Sequence, residues 1–142
     1  MILPDVNLLV YAHNELAPLH RPARDWWRDR MMGTTQVGLP WAVVYGFLRL
    51  VTHPAVLVDP LPPLEALDRV DGWLERDHVL ILDPGPQHLR IVRRLFEATG
   101  VAGSLTTDTH LAALAIEHQC ELHSNDADFA RFPGLRWRNP LA

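Results

Sequence analysis

The chain has one cysteine, no long apolar run and no excess of positive charge. The single Cys120 excludes an internal disulfide framework and is typical of a protein from a reducing compartment. No apolar stretch approaches the roughly 20 residues that a membrane-spanning helix needs. The N-terminus also lacks the basic region and apolar run of a signal peptide. We therefore predict a cytoplasmic protein with no membrane contact.

The charge balance also excludes some classes of function. A formal net charge of -4 indicates no overall attraction to nucleic acid, so any RNA or DNA contact must come from a local basic patch. The eight histidines lack compact zinc spacing, and one cysteine is too few for a structural zinc site. At 142 residues, with 48% hydrophobic content, the chain is expected to form one domain over residues 1–142.

Strand-like and helix-like segments alternate along the chain. Predicted strands cover residues 1–5, 79–82, 120–123 and 135–137. Predicted helices cover residues 7–13, 22–32, 41–52, 64–74 and 109–118, with another from about residue 89 that stops at Gly100. This alternation predicts an α/β fold in which helices cover both faces of a parallel sheet.

Four aspartates stand where strands or loops give way to helices: Asp5, Asp108, Asp126 and Asp128. In a parallel sheet these junctions all fall at the carboxyl edge, so the four carboxylates are expected to converge. Neighbouring carboxylates repel one another, and a divalent cation relieves that repulsion. The pattern therefore predicts a metal site made of oxygen ligands.

Helix capping is the competing interpretation of each aspartate. Asp is a favoured N-cap residue, because its carboxylate accepts a hydrogen bond from a free backbone N–H. Asp126 and Asp128 could instead form an Asx turn before Phe129. A capping carboxylate still has a second oxygen to offer, so capping and metal binding are compatible.

Four blocks of sequence carry a family resemblance. They are Asp5-Val6-Asn7-Leu8-Leu9-Val10-Tyr11-Ala12, the segment 41–54 with Phe47-Leu48-Arg49, Thr107-Asp108-Thr109-His110-Leu111, and Ser124-Asn125-Asp126-Ala127-Asp128-Phe129. Taken in order, these blocks resemble PIN domains, and specifically the VapC-type toxins of toxin-antitoxin modules. The resemblance implies a three-layer α/β/α fold with a twisted parallel sheet.

The resemblance also implies an activity. A protein of this type is expected to be an endoribonuclease that depends on Mg²⁺ or Mn²⁺, in which the metal activates the attacking water. Matched position by position, Asp5, Asp108 and Asp126 are the catalytic metal ligands, Asp128 is an accessory acid, and Asn7 supports the first aspartate. A VapB-type antitoxin and a second copy of the chain are the expected protein partners, and RNA is the expected substrate.

One position departs from the family pattern. Many members carry a glutamate where this chain has Gly46, although others lack it. On a helical wheel Gly46 shares a face with Arg49 and His53. Arg49 is thus a candidate for binding phosphate or for pairing with an active-site aspartate. Whether the site holds one metal or two stays open.

Two other functions remain open from the sequence. A PIN-like chain that has lost its activity would act by binding RNA or protein, with Gly46 as the sign of that loss. A nuclease acting on DNA would keep the same acids, although the chain has no insertion that could thread a flap. Candidate phosphate contacts are Arg90, Arg93, Arg94, Arg131, Arg136 and Arg138, with a solvated helix face as the competing interpretation of Arg93 and Arg94.

Overall fold

One parallel sheet is the centre of the fold. The computed structural model describes residues 1–100 and 103–142. Within them the strands are β1 (Ile2–Pro4), β2 (Val37–Pro40), β3 (Val79–Leu82), β4 (Glu121–His123) and β5 (Arg136–Arg138). Their order is β3-β2-β1-β4-β5, and every neighbouring pair is parallel. The direction of winding reverses at β1, so the carboxyl ends of β1 and β4 form the switch point where α/β proteins bind ligands.

Helices connect the strands and cover the sheet. They are α1 (Val6–His13), α2 (His20–Met32), α3 (Trp41–Val51), α4 (Pro63–Leu74), α5 (His88–Thr99) and α6 (Thr106–Glu117). Helix α1 packs on α2 and α3, α3 packs on α4, and α5 packs on α6. The predicted three-layer α/β/α class is confirmed.

The helices pack through buried apolar faces, which differ in part from the predicted periodicity because Trp41, Tyr45, Leu64 and Leu89 are exposed. In α3, the side chains of Val43, Val44, Phe47 and Val51 are buried at helical spacing. Trp73 of α4 meets Phe47 edge to face, with ring centroids 4.8 Å apart. Helix α5 ends as predicted, because Gly100 adopts the left-handed conformation with φ 65°. These contacts fix the helices against the sheet and leave its carboxyl edge open.

The sequence analysis missed β2. Its four residues include a glycine and a proline and show no alternation, so no strand signal is present. All four are buried between β1 and β3. A Cβ added at Gly38 would clash with the Leu82 side chain, so any other residue here would force that side chain to shift. Tertiary packing, rather than strand propensity, creates this strand.

Across residues 1–100 and 103–142, no helix is both long enough and apolar enough to cross a membrane.

Candidate active site

Asp5 lies at the carboxyl end of β1 and caps α1. Its Oδ1 atom accepts a hydrogen bond from the Val6 backbone N–H at 2.7 Å, and its side chain is buried. The Asp5 backbone N–H donates to the carbonyl oxygen of His123 at 2.8 Å, which ties α1 to the end of β4. Burial raises the pKa of Asp5, although its hydrogen bonds act in the opposite direction.

Ser124 connects the residues that follow β1 to those that follow β4. Its hydroxyl donates to the Asp5 Oδ2 atom at 2.8 Å. The same oxygen accepts the Asp126 backbone N–H at 3.0 Å and the Asn7 side-chain amide at 3.4 Å. One donor and two acceptors are all that a hydroxyl offers, so this fully buried serine is saturated. It holds Asp5, Asn7 and Asp126 in one arrangement.

Asp128 lies in a short 3₁₀ helix, Ala127–Arg131, and Asp126 is the N-cap residue of that helix. The Asp126 Oδ1 atom caps this helix by accepting the Asp128 backbone N–H at 2.9 Å. This is the Asx turn that the sequence left open. Phe129 is fully buried and anchors the segment in the core. The Asp128 carboxylate is half-exposed and lies 3.6 Å from Arg131 Nη2.

Asp108 lies in the first turn of α6, and the cap position belongs to Leu105. The capping interpretation was therefore wrong for Asp108, whereas it is confirmed for Asp5 and Asp126. Burial and, to a smaller extent, the negative charges of Asp5, Asp126 and Asp128 together raise the pKa of Asp108 to about 6. The four aspartates therefore share one electrostatic environment.

Oxygen donors dominate this environment, which suits Mg²⁺ or Mn²⁺ better than softer metals. The Asn7 Oδ1 atom is buried and accepts no hydrogen bond from the residues that the structure describes. Within the same residues, no three His, Cys, Asp or Glu side chains are close enough to hold an ion by themselves. Mg²⁺ commonly keeps several waters beside one or two carboxylates, and the donor set fits an ion bound in that way.

Gly46 faces the beginning of α1. A Cβ at this position would lie 3.3 Å from the Val6 Cγ2 atom, and Val6 directly follows Asp5. Helix α3 ends at Val51, so His53 lies outside it and does not extend the face that the helical wheel predicted. Arg49 is exposed and pairs with none of the four aspartates. The predicted Arg49–aspartate pair is therefore absent from the structure, and phosphate binding by Arg49 stays a prediction.

Sequence reasoning did not single out Ser124, although the serine lies inside one of the four blocks. Its role depends on a contact with a residue 119 positions away, which no local pattern reveals. The available signal was its place directly after β4, at the edge where the aspartates were expected to meet.

Replacing Ser124 with alanine should destabilise the protein. The change leaves Asp5 Oδ2 without its buried donor and the Asp126 N–H without its acceptor. We expect a loss of about 1–3 kcal/mol in the free energy of unfolding, measured by urea denaturation. Thr52→Ala is a suitable control, since the Thr52 hydroxyl donates to carbonyls in the last turn of the preceding helix α3, those of Leu48 and Arg49. Equal losses in the two variants would contradict a special role for Ser124.

Comparison with known proteins places this geometry in a family. The PIN-domain profile matches residues 2–135. The chain is 47% identical to Ribonuclease VapC33 of Mycobacterium tuberculosis over 141 residues, covering 99% of each chain. The chain belongs to the VapC group of PIN-domain proteins. The resemblance stated from the four blocks is confirmed.

Other VapC proteins extend the comparison. Ribonuclease VapC37 of Mycobacterium tuberculosis is 36% identical over 142 residues, covering 100% of this chain and 99% of the relative. VapBC2 from Rickettsia felis, solved bound to a DNA fragment from its promoter, aligns with a TM-score of 0.65 at 19% identity. That alignment covers 98% of each chain and shows that the VapC fold is shared over nearly the full described length.

Proposed function

We propose that this chain is a metal-dependent endoribonuclease and the toxin of a toxin-antitoxin pair. The convergence of four aspartates at the switch point of a VapC-family sheet carries the proposal. VapC33 and VapC37 are both named ribonucleases, and each aligns with this chain over 99% of its own length. The acids occupy the position where α/β proteins bind their ligands.

Asp5, Asp108 and Asp126 would hold Mg²⁺ or Mn²⁺, with Asp128 assisting and Asn7 Oδ1 as a further oxygen donor. Such an ion, when bound, makes an attacking water more acidic and offsets the charge of the phosphate. It would keep water in part of its coordination shell, because no three His, Cys, Asp or Glu side chains of the described residues are close enough to hold it by themselves. Gly46 supplies no carboxylate, which supports a single ion.

The chain's own residues hold this arrangement in place. Val6 N–H and the Ser124 hydroxyl fix the two oxygens of Asp5, so its carboxylate cannot rotate away from the site. The backbone of Asp126 is fixed by the same serine. Burial and three neighbouring acids favour the protonated form of Asp108. Binding of a cation would favour its ionised form.

Digestion of matched RNA and DNA oligonucleotides tests the proposal. We expect RNA to be cut when Mg²⁺ or Mn²⁺ is present, not to be cut in EDTA, and to be cut again when the ion is restored. Equal cutting of DNA would instead indicate a DNA nuclease. Absence of cutting, together with no heat of Mn²⁺ binding by calorimetry, would indicate a binding module that has lost its activity.

Gly46→Glu should tighten Mn²⁺ binding. The new side chain would start beside Val6 and reach toward the neighbouring Asp5, where an added carboxylate strengthens the attraction for a cation. We expect about tenfold tighter binding by calorimetry, equivalent to ~1.4 kcal/mol. Gly46→Gln is the matched control, because it has the same size without the charge. Identical affinities of the two variants would mean that position 46 does not reach the site.

A small antitoxin is the proposed protein partner, expected to lay a helix or extended tail over apolar helices and to place a basic residue among the aspartates. A cleft of about 680 Å³ between α1, α2 and α4 offers apolar contacts for such a segment. Leu16 and Val58 line it and are 71% and 81% exposed, so their side chains are accessible to such a segment. A homodimer is also proposed, and the exposed Trp41 and Tyr45 of α3 are available for its interface.

A further inference from the structure

Arg131 is the cation that the fold places beside the four aspartates. It ends the short 3₁₀ helix that starts after Asp126, and its guanidinium lies 3.6 Å from the Asp128 carboxylate. Among the ion pairs of the described residues, this is the one that involves any of the four acids. Arg131 therefore lies at the rim of the site, on the side of Asp128.

The pair with Asp128 does not explain why an arginine is present. Both side chains are about half-exposed, at 55% and 45%, and ion pairs in such surroundings add little to stability. The segment is already held by Phe129 and Phe132, which are buried with ring centroids 6.0 Å apart. The Arg131 guanidinium is thus held near the site by a contact that a stronger anion can displace.

An RNA strand needs such a cation at this place. The chain carries a net charge of -4, and the carboxylates of Asp5, Asp126 and Asp128 add their negative charge to that of Asp108. A guanidinium binds phosphate through two parallel hydrogen bonds and is well suited to that task. A cation beside the acids offsets the repulsion of the phosphates next to the one that is cut.

We propose that Arg131 exchanges the Asp128 carboxylate for an RNA phosphate and so positions the substrate strand over the acidic site. This role rests on the proposed ribonuclease function. It assigns Arg131 to substrate binding and leaves the chemical step to the aspartates.

The test compares Arg131→Gln with Arg28→Gln. Arg28 is a close match, since it pairs with Asp25 at 3.0 Å with the same i,i+3 spacing, and the two side chains are 57% and 49% exposed. It differs in location, because it lies on α2 beside the cleft between α1, α2 and α4. RNA cleavage is measured over a range of substrate concentrations, and thermal melting confirms that each variant folds. Fluorescence anisotropy then follows binding of a single-stranded RNA at several salt concentrations, with Asp5→Asn added to prevent cleavage.

Arg131→Gln should raise KM about tenfold, with a much smaller change in kcat. It should also lower the slope of log Kd against log salt concentration by about 0.7, which is the contribution of one phosphate contact on a single strand. Arg131→Lys should recover most of the slope, because it retains the charge. Arg28→Gln should change neither quantity.

Equal effects of Arg131→Gln and Arg28→Gln would overturn the role of Arg131, as would a change confined to the melting temperature. In both cases the parent protein would still cut RNA, so the proposed function would stand. A parent protein that neither cuts nor binds RNA would overturn the proposed function, and the role of Arg131 with it.

Discussion

Asp5→Asn should abolish RNA cleavage while leaving the protein folded. The asparagine is nearly isosteric, and its amide oxygen can still accept the Val6 N–H that Asp5 Oδ1 accepts. What disappears is the negative charge at the centre of the site. Loss of groups that merely orient metal ligands costs about 10–100-fold in activity or affinity, so loss of a ligand charge should cost more than about a hundredfold.

The measurement is the initial rate of cleavage of a fluorogenic RNA at saturating Mg²⁺, with circular dichroism and thermal melting to establish the fold. Asp68→Asn is the matched control, because Asp68 is an exposed acid on α4. It should leave the rate unchanged. A carefully purified Asp5→Asn protein that cleaves at the parent rate would refute the catalytic role of Asp5.

Asp108→Asn should stabilise the protein at pH 7 while it removes RNA cleavage. The pKa of Asp108 is raised from 3.8 to about 6 in the folded state by burial and by the three neighbouring acids. The folded protein therefore binds this proton more tightly than the unfolded chain does. Ionisation of Asp108 destabilises the fold, and this cost appears as the pH rises from about 4 to about 6 and is complete above it.

Asparagine removes that cost, so the gain should be present at pH 7 and largely lost near pH 4, where Asp108 is protonated in the folded state and partly protonated in the unfolded chain. The partial exposure of Asp108 and the favourable place of a carboxylate in the first turn of α6 both reduce the gain, which we estimate at about 1 kcal/mol. This corresponds to a rise of about 3–5 °C in the melting temperature.

Added Mg²⁺ distinguishes removal of the unfavourable Asp108 charge from a general improvement in packing. Mg²⁺ should raise the melting temperature of the parent protein at pH 7, because a ligand that binds only the folded state stabilises it. The same concentration should have a smaller effect on Asp108→Asn. A gain that persists at pH 4, or a variant that is less stable than the parent at pH 7, would contradict the electrostatic explanation.

The sequence by itself was sufficient for the fold class, for most helices and for the identity of the four acids. Helix α3 follows from apolar residues at a spacing of three and four positions, a signal that lies within one element and needs no knowledge of its neighbours. The aspartates could be located because parallel topology places every strand end at one edge. The four blocks of family resemblance depend only on residue order, so they were equally accessible.

Other features were decided only by the tertiary structure, because they depend on contacts between residues far apart in the chain. Strand β2 exists because Gly38 lets its backbone approach Leu82, despite a weak propensity of its own. The pKa of Asp108 reflects burial and the charges of three acids from other parts of the chain. Ser124 became important through one hydroxyl that reaches Asp5 across the meeting point of β1 and β4. Local patterns identify which residues carry the chemistry, whereas long-range packing decides how those residues are held and how strongly their charges interact.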